Sequence, residues 1–143
     1  MYKVLFVCIH NSARSQMAEA LLRKYGGESF AAFSAGFEPG TLNPLAVEAL
    51  KEEGLDISDH ETSSVFDLFK EGKLFHYVVT VCDESSSERC PIFPGQAERL
   101  HWSFKDPSMF TGSHEEKLEQ TKAVMYDIKH AIFAFIESVH VMK

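Results

Sequence analysis

Positive charge is the scarce commodity in this chain. Fourteen Lys and Arg face 21 Asp and Glu, for a formal net charge of −7 at pH 7. A surface of that sign repels polyanions, so no nucleic-acid partner is expected and any anion site has to be local. Long apolar runs are missing too. No stretch approaches the roughly 20 apolar residues of a membrane span, and the opening MYKVLF lacks a signal-peptide layout. The expectation is a cytoplasmic protein with no membrane partner. Cysteine is sparse: Cys8, Cys82 and Cys90. Three cannot all pair, and a reducing compartment keeps them as thiols. His60, His76, His101, His114, His130 and His140 are scattered and none meets a cysteine at metal-ligand spacing, so no metal site is expected. Nothing reads as a repeat, linker or low-complexity segment, and residues 1–143 are taken as one domain.

What is present alternates between two periods. Tyr2–Val7 is a short apolar run, read as a central strand. Ser15–Tyr25 places Met17, Ala18, Leu21, Leu22 and Tyr25 on one helical face, and Gly26–Gly27 ends it. Phe30–Phe33 reads as a second strand and SAGFEPG as the turn after it. Asn43 caps a helix with Pro44 at its first position, running to Gly54. Ser64 caps a shorter helix, Val65–Glu71. Phe75–Val81 is a buried strand, a polar loop covers Asp83–Gly95, and Arg99–Phe104 is a fourth strand. Ser113 and Glu116 form a capping box ahead of a long helix. This order predicts an α/β fold: a four-stranded, mainly parallel sheet with helices on both faces. Ligands bind such sheets at the carboxyl ends of the strands. Cys8, Cys82 and the loop after Phe104 all fall at such ends.

The stretch CIHNSARS (Cys8–Ser15) joins the first strand to the first helix. Amides at a helix N-terminus favour an anion. Small residues let the backbone wrap closely around one. The candidate oxyanion-binding residues are Ile9, His10, Asn11, Ser12, Ala13, Arg14 and Ser15. The same field favours the thiolate of Cys8, which reads as a nucleophile. Arg14 offers a planar fork for two oxygens of an oxyanion. Ser15 is placed to bond the Cys8 sulfur, Asn11 to hold the loop, and His10 to contribute its backbone amide, ahead of the alternative that its ring tunes the anion field. The spacing is neither a Walker A loop nor a dinucleotide fingerprint.

VCIHNSARSQMAEA carries a Cys-x5-Arg-Ser signature and resembles the low-molecular-weight protein tyrosine phosphatase family. SAG (Ser34–Gly36), NPLAVEALKEEGLDIS (Asn43–Ser58), VVTVCDESSSERCPIFPG (Val78–Gly95) and HWSFKDP (His101–Pro107) are similar to its arsenate reductase branch. The resemblance implies that Asp106, pinned by Pro107, is the general acid. It implies that Cys8 attacks arsenate, Cys82 attacks Cys8 to release arsenite, and Cys90 attacks Cys82. The resulting Cys82–Cys90 disulfide would pass to an external thioredoxin, or to glutaredoxin with glutathione. The segment between Asp83 and Phe93 would rearrange during the exchange.

No tightly bound cofactor is implied, phosphate or sulfate would compete with arsenate, and a monomer is expected. Family reductases that hold potassium beside the loop match here at Asn11, Glu19 and Ser34. Ser63 stands where an acid would be expected, so no tight potassium site is expected. Two other functions fit the same residues: a phosphatase working through a Cys8 phosphoenzyme, and a non-catalytic redox sensor.

Overall fold

Strand β1 (Tyr2–Cys8) runs through the middle of the sheet because both of its faces are apolar. Its alternation sends Val4, Phe6 and Cys8 to one side and Leu5 and Val7 to the other. The computed structural model describes residues 1–72, 74–82 and 97–141. After β1 come helix α1 (Arg14–Gly26), strand β2 (Phe30–Gly36) and helices α2 (Pro44–Lys51) and α3 (Val65–Lys70). Strands β3 (Tyr77–Thr80) and β4 (Glu98–His101) and the long helix α4 (His114–Val141) complete the order, with a 3-10 turn at Pro107–Met109. The sheet order is β2-β1-β3-β4 and every pairing is parallel. All four carboxyl ends therefore meet at one edge of the sheet.

Helices α1, α2 and α4 cover the face of Val4 and Phe6, packing Met17, Leu21, Leu50, Met125 and Ile128 against it. Helix α3 covers the opposite face, with Val65 against Leu5, Val7, Ala35 and Val78. Burying each large side chain contributes about 1.5–3 kcal/mol, so this layer pair is what fixes the sheet edge in place. A polar clasp ties the three helices of the larger layer together. Glu53, just past α2, receives Tyr25 of α1 at 2.6 Å and Lys129 of α4 at 2.8 Å. These partners hold the Glu53 carboxyl below the usual glutamate range, Lys129 most of all.

The helix signals held where expected. Asn43 Oδ1 accepts from Leu45 N at 2.9 Å, Ser64 Oγ from Phe66 N at 3.2 Å, and Ser113 and Glu116 close their box reciprocally. Two strand limits differ most from the sequence reading, while those of the other strands move by one or two residues. Strand β2 continues through Ser34-Ala35-Gly36, because β1 offers pairing partners as far as Cys8, opposite Gly36. The fourth strand ends at His101 rather than Phe104. Trp102 N still bonds Thr80 O at 2.8 Å, but the chain then leaves the sheet and turns toward α1.

Candidate active site

Four carbonyls of the loop after β1 are taken by the segment that follows β2. Phe37 N bonds Cys8 O at 3.4 Å, Glu38 N bonds Ile9 O at 2.8 Å, Gly40 N bonds His10 O at 2.9 Å and Asn43 N bonds Ser12 O at 2.8 Å. No peptide among the described residues is cis. In a trans peptide the following N–H points opposite to the carbonyl. Turning these carbonyls outward therefore turns the amides of Ile9, His10, Asn11 and Ala13 inward. Asn11 verifies the geometry, since its N–H donates to Cys8 Sγ at 3.0 Å.

The sulfur has a second donor. Ser15 Oγ lies 3.0 Å from Cys8 Sγ and also accepts from Asn11 Nδ2 at 2.7 Å. With Asn11 donating to its oxygen, the single Ser15 proton is free to point at sulfur. Cys8 is a free thiol, 2% exposed.

Asn11 is the hinge of the loop. It holds φ = 54°, a left-handed conformation that asparagine tolerates better than most residues. Its Oδ1 accepts from Ser63 N at 2.8 Å and from Gln16 Nε2 at 3.1 Å. Gln16 Nε2 also bonds Asn11 O at 3.2 Å and Glu61 O at 3.1 Å. Gln16 and Gly36 escaped the sequence reading as site residues. A Cβ built on Gly36 would stand 2.7 Å from Ile9 O and 2.8 Å from Asn11 N. The loop can lie against β2 only because residue 36 has no side chain. The one sequence signal was Gly36 itself, inside the stretch read as a turn.

Arg14 opens α1 at 4% exposure. Its Nη1 donates to Phe104 O at 3.2 Å, and its Nη2 lies 3.5 Å from Asp106 Oδ2. The early exit of the chain from β4 is what delivers Phe104 and Asp106 to this position. Asp106 Oδ1 accepts from Ser108 N at 2.9 Å and from Ser108 Oγ at 2.8 Å, so one carboxylate oxygen is held while Oδ2 faces the guanidinium. A cavity of about 400 Å³ lies behind this stretch, where Phe104 and Phe110 face Val124 of α4.

Cys82 comes two residues after Thr80, which pairs with Val7, so it reaches the same sheet edge as Cys8. It is 1% exposed and disulfide-bonded. Cys90 and the expected rearranging loop lie outside the described residues. The structure thus brings together Cys8, Ile9–Ser15 and Asp106, and places Cys82 at the same end.

A buried polar chain continues from Gln16. Its Oε1 accepts from His60 Nδ1 at 3.4 Å, that nitrogen lies 3.8 Å from Glu19 Oε2, and Ser34 Oγ donates to Glu19 Oε1 at 3.1 Å. Asn11 Oδ1 is already spent on Ser63 and Gln16. Among the described residues no group of three or more His, Cys, Asp and Glu converges as a metal site.

Burial pushes the Glu19 carboxyl above the usual glutamate range, against the pull of Arg23, Ser34 and His60. A carboxyl raised in the native state costs nothing while protonated. It destabilises the fold progressively as pH rises through its native value. Glu19→Gln is therefore expected to melt a few degrees above the wild type at pH 8, with the gain vanishing toward pH 4. Thermal melts across that range decide it; an equal gain at both ends would assign the effect to something other than charge.

A buried sulfur under inward amides, with an arginine six residues on, defines a cysteine-dependent enzyme that handles tetrahedral oxyanions. The family described as low molecular weight phosphotyrosine protein phosphatase matches residues 3–142. The arsenate reductase of Halalkalibacterium halodurans is 41% identical over 137 residues, 94% of this chain and 95% of its own. The structure of a Corynebacterium glutamicum thioredoxin-dependent arsenate reductase superposes with a TM-score of 0.70 at 29% identity. That match covers 100% of this chain and 63% of the other. A low molecular weight protein tyrosine phosphatase from T. tengcongensis gives a TM-score of 0.73 at 27% identity, over 96% of this chain and 99% of its own. The chain belongs to the low molecular weight phosphotyrosine protein phosphatase family. No helix among the described residues is long and apolar enough to cross a membrane.

Proposed function

We propose that this protein is an arsenate reductase that uses Cys8 as nucleophile and an external dithiol as electron source. The observation that carries the reading is the thiol inventory around the loop. A free Cys8 lies under two donors, and a buried, disulfide-bonded Cys82 sits at the same strand ends.

The loop amides and Arg14 receive arsenate. Cys8 attacks arsenic, and one arsenate hydroxyl leaves as water, taking its second proton from Asp106 in its protonated form. Cys82 then attacks the Cys8 sulfur. The sulfur–arsenic bond breaks with its electron pair going to arsenic, which departs as arsenite, and a Cys8–Cys82 disulfide remains. Cys90 attacks Cys82 and frees Cys8 as the thiolate. The final disulfide accepts two electrons from a thioredoxin-like protein or from glutaredoxin with glutathione.

A second reading, phosphate-ester hydrolysis, is favoured by the 3.5 Å contact of Arg14 with Asp106, which serves a phosphoryl group equally well. The test is an assay of the full chain with thioredoxin, thioredoxin reductase and NADPH. Arsenate-dependent NADPH consumption should match arsenite formed, while aryl phosphate is hydrolysed slowly. Rapid aryl phosphate hydrolysis without arsenate-dependent NADPH consumption would assign the chain to the phosphatases. Reversible thiol oxidation without either activity would make it a sensor.

A further inference from the structure

We propose that His10 is a positioning residue for the oxyanion loop, its imidazole forming a side-chain latch onto the segment after β2. The inference rests on the loop being an anion site, and not on which reaction follows.

His10 Nδ1 lies 2.9 Å from Glu38 O. A carbonyl only accepts, so Nδ1 carries the proton and the bond runs from ring to backbone. The same residue's carbonyl receives Gly40 N at 2.9 Å. His10 thus grips the neighbouring segment at two points, Glu38 and Gly40. The peptide between Ile9 and His10 is held from outside as well, by Glu38 N on Ile9 O at 2.8 Å. These bonds fix the orientation of the two peptides whose N–H groups, those of His10 and Asn11, face inward.

The opposing segment is itself anchored. Thr62 Oγ1 donates to Gly40 O at 2.7 Å, and Gly36 N bonds Ser63 O at 2.8 Å. The latch therefore closes onto a fixed wall. The ring does not depend on Gly40 being glycine, since a Cβ there would make an ordinary 3.6 Å contact with His10 Cβ.

Inward amides hold the anion in the ground state as well as in the transition state. Loosening them should weaken binding more than turnover. His10→Ala is expected to raise the arsenate KM about fivefold with kcat nearly unchanged, the scale of one hydrogen bond. It should weaken by the same factor the protection that inorganic phosphate gives Cys8 against iodoacetamide. Asparagine places an N–H donor where Nδ1 stands, so His10→Asn should restore both quantities. His10→Gln, whose amide reaches further, should not.

Phosphate protection unchanged in His10→Ala would overturn the proposal. So would rescue by glutamine and not asparagine. The protection measurement needs no reductase activity, so it stands or falls separately from the proposed reaction. If His10→Ala melts well below the wild type, the asparagine and glutamine pair decides alone.

Discussion

Cys90→Ser is expected to release one arsenite per molecule and then stop, with Cys8 and Cys82 cross-linked. Reduction of arsenic needs two electrons, and in the proposed relay the Cys8–Cys82 disulfide is where they are left behind. Cys82 is already at the sheet edge of Cys8, so the first exchange does not need Cys90. Only the return of Cys8 to its thiolate does. Peptide mapping by mass spectrometry after a single arsenate pulse should find the Cys8–Cys82 peptide in this variant. Cys8→Ser should yield no arsenite at all, because a hydroxyl at pH 7 is a feeble nucleophile. Cys82→Ser should stop after adduct formation, because serine cannot form the disulfide that carries the electrons away. Each variant should lose at least about 10³-fold in multiple turnover, the scale seen when a nucleophile is removed. Full multiple turnover by Cys82→Ser would end the relay mechanism.

The contrast between loop and strand ends shows what a sequence can reveal. The β1–loop–α1 unit was legible because its signals are local. An apolar run stops at a cysteine, small residues follow, and a helix with one apolar face begins with Arg14. The helix caps at Asn43, Ser64 and Ser113 were legible for the same reason, each being a side chain that bonds the backbone two or three residues away.

The limits of β2 and β4 were not legible, because a strand extends as far as its neighbour offers partners. Gly36 stays in the sheet because Cys8 is opposite it, some 28 positions earlier in the chain. The meaning of Phe104 was hidden too. Its side chain suggested a strand, but its carbonyl is what Arg14 uses. Gln16 looked like an ordinary polar helix residue, yet it is 1% exposed and stitches Asn11 to Glu61. Each of these residues has a partner far away in sequence (Cys8 for Gly36, Arg14 for Phe104, Glu61 for Gln16), and no local pattern records that.

Gly36 carries the second large effect. Alanine there puts a methyl group 2.7 Å from Ile9 O, 2.8 Å from Asn11 N and 2.9 Å from His10 C. All three are backbone atoms, so no side chain can swing away and the loop itself has to move. The atoms displaced belong to the peptides that turn N–H groups inward, and Asn11 N is a donor on Cys8 Sγ. A displacement of about 1 Å in such a cradle costs on the order of 10² in rate. Gly36→Ala should therefore lose about a hundredfold in arsenate kcat/KM, and phosphate should protect Cys8 poorly against alkylation. Gly40→Ala is the control. Its methyl would meet His10 Cβ at an ordinary 3.6 Å, and both backbone bonds of residue 40 remain. It should stay within about twofold of the wild type, as a substitution that keeps its contacts normally does. Equal losses in the two variants would mean that the loop needs glycine flexibility and not clearance. Unchanged kinetics in Gly36→Ala would mean that the loop yields to the added methyl without losing its anion.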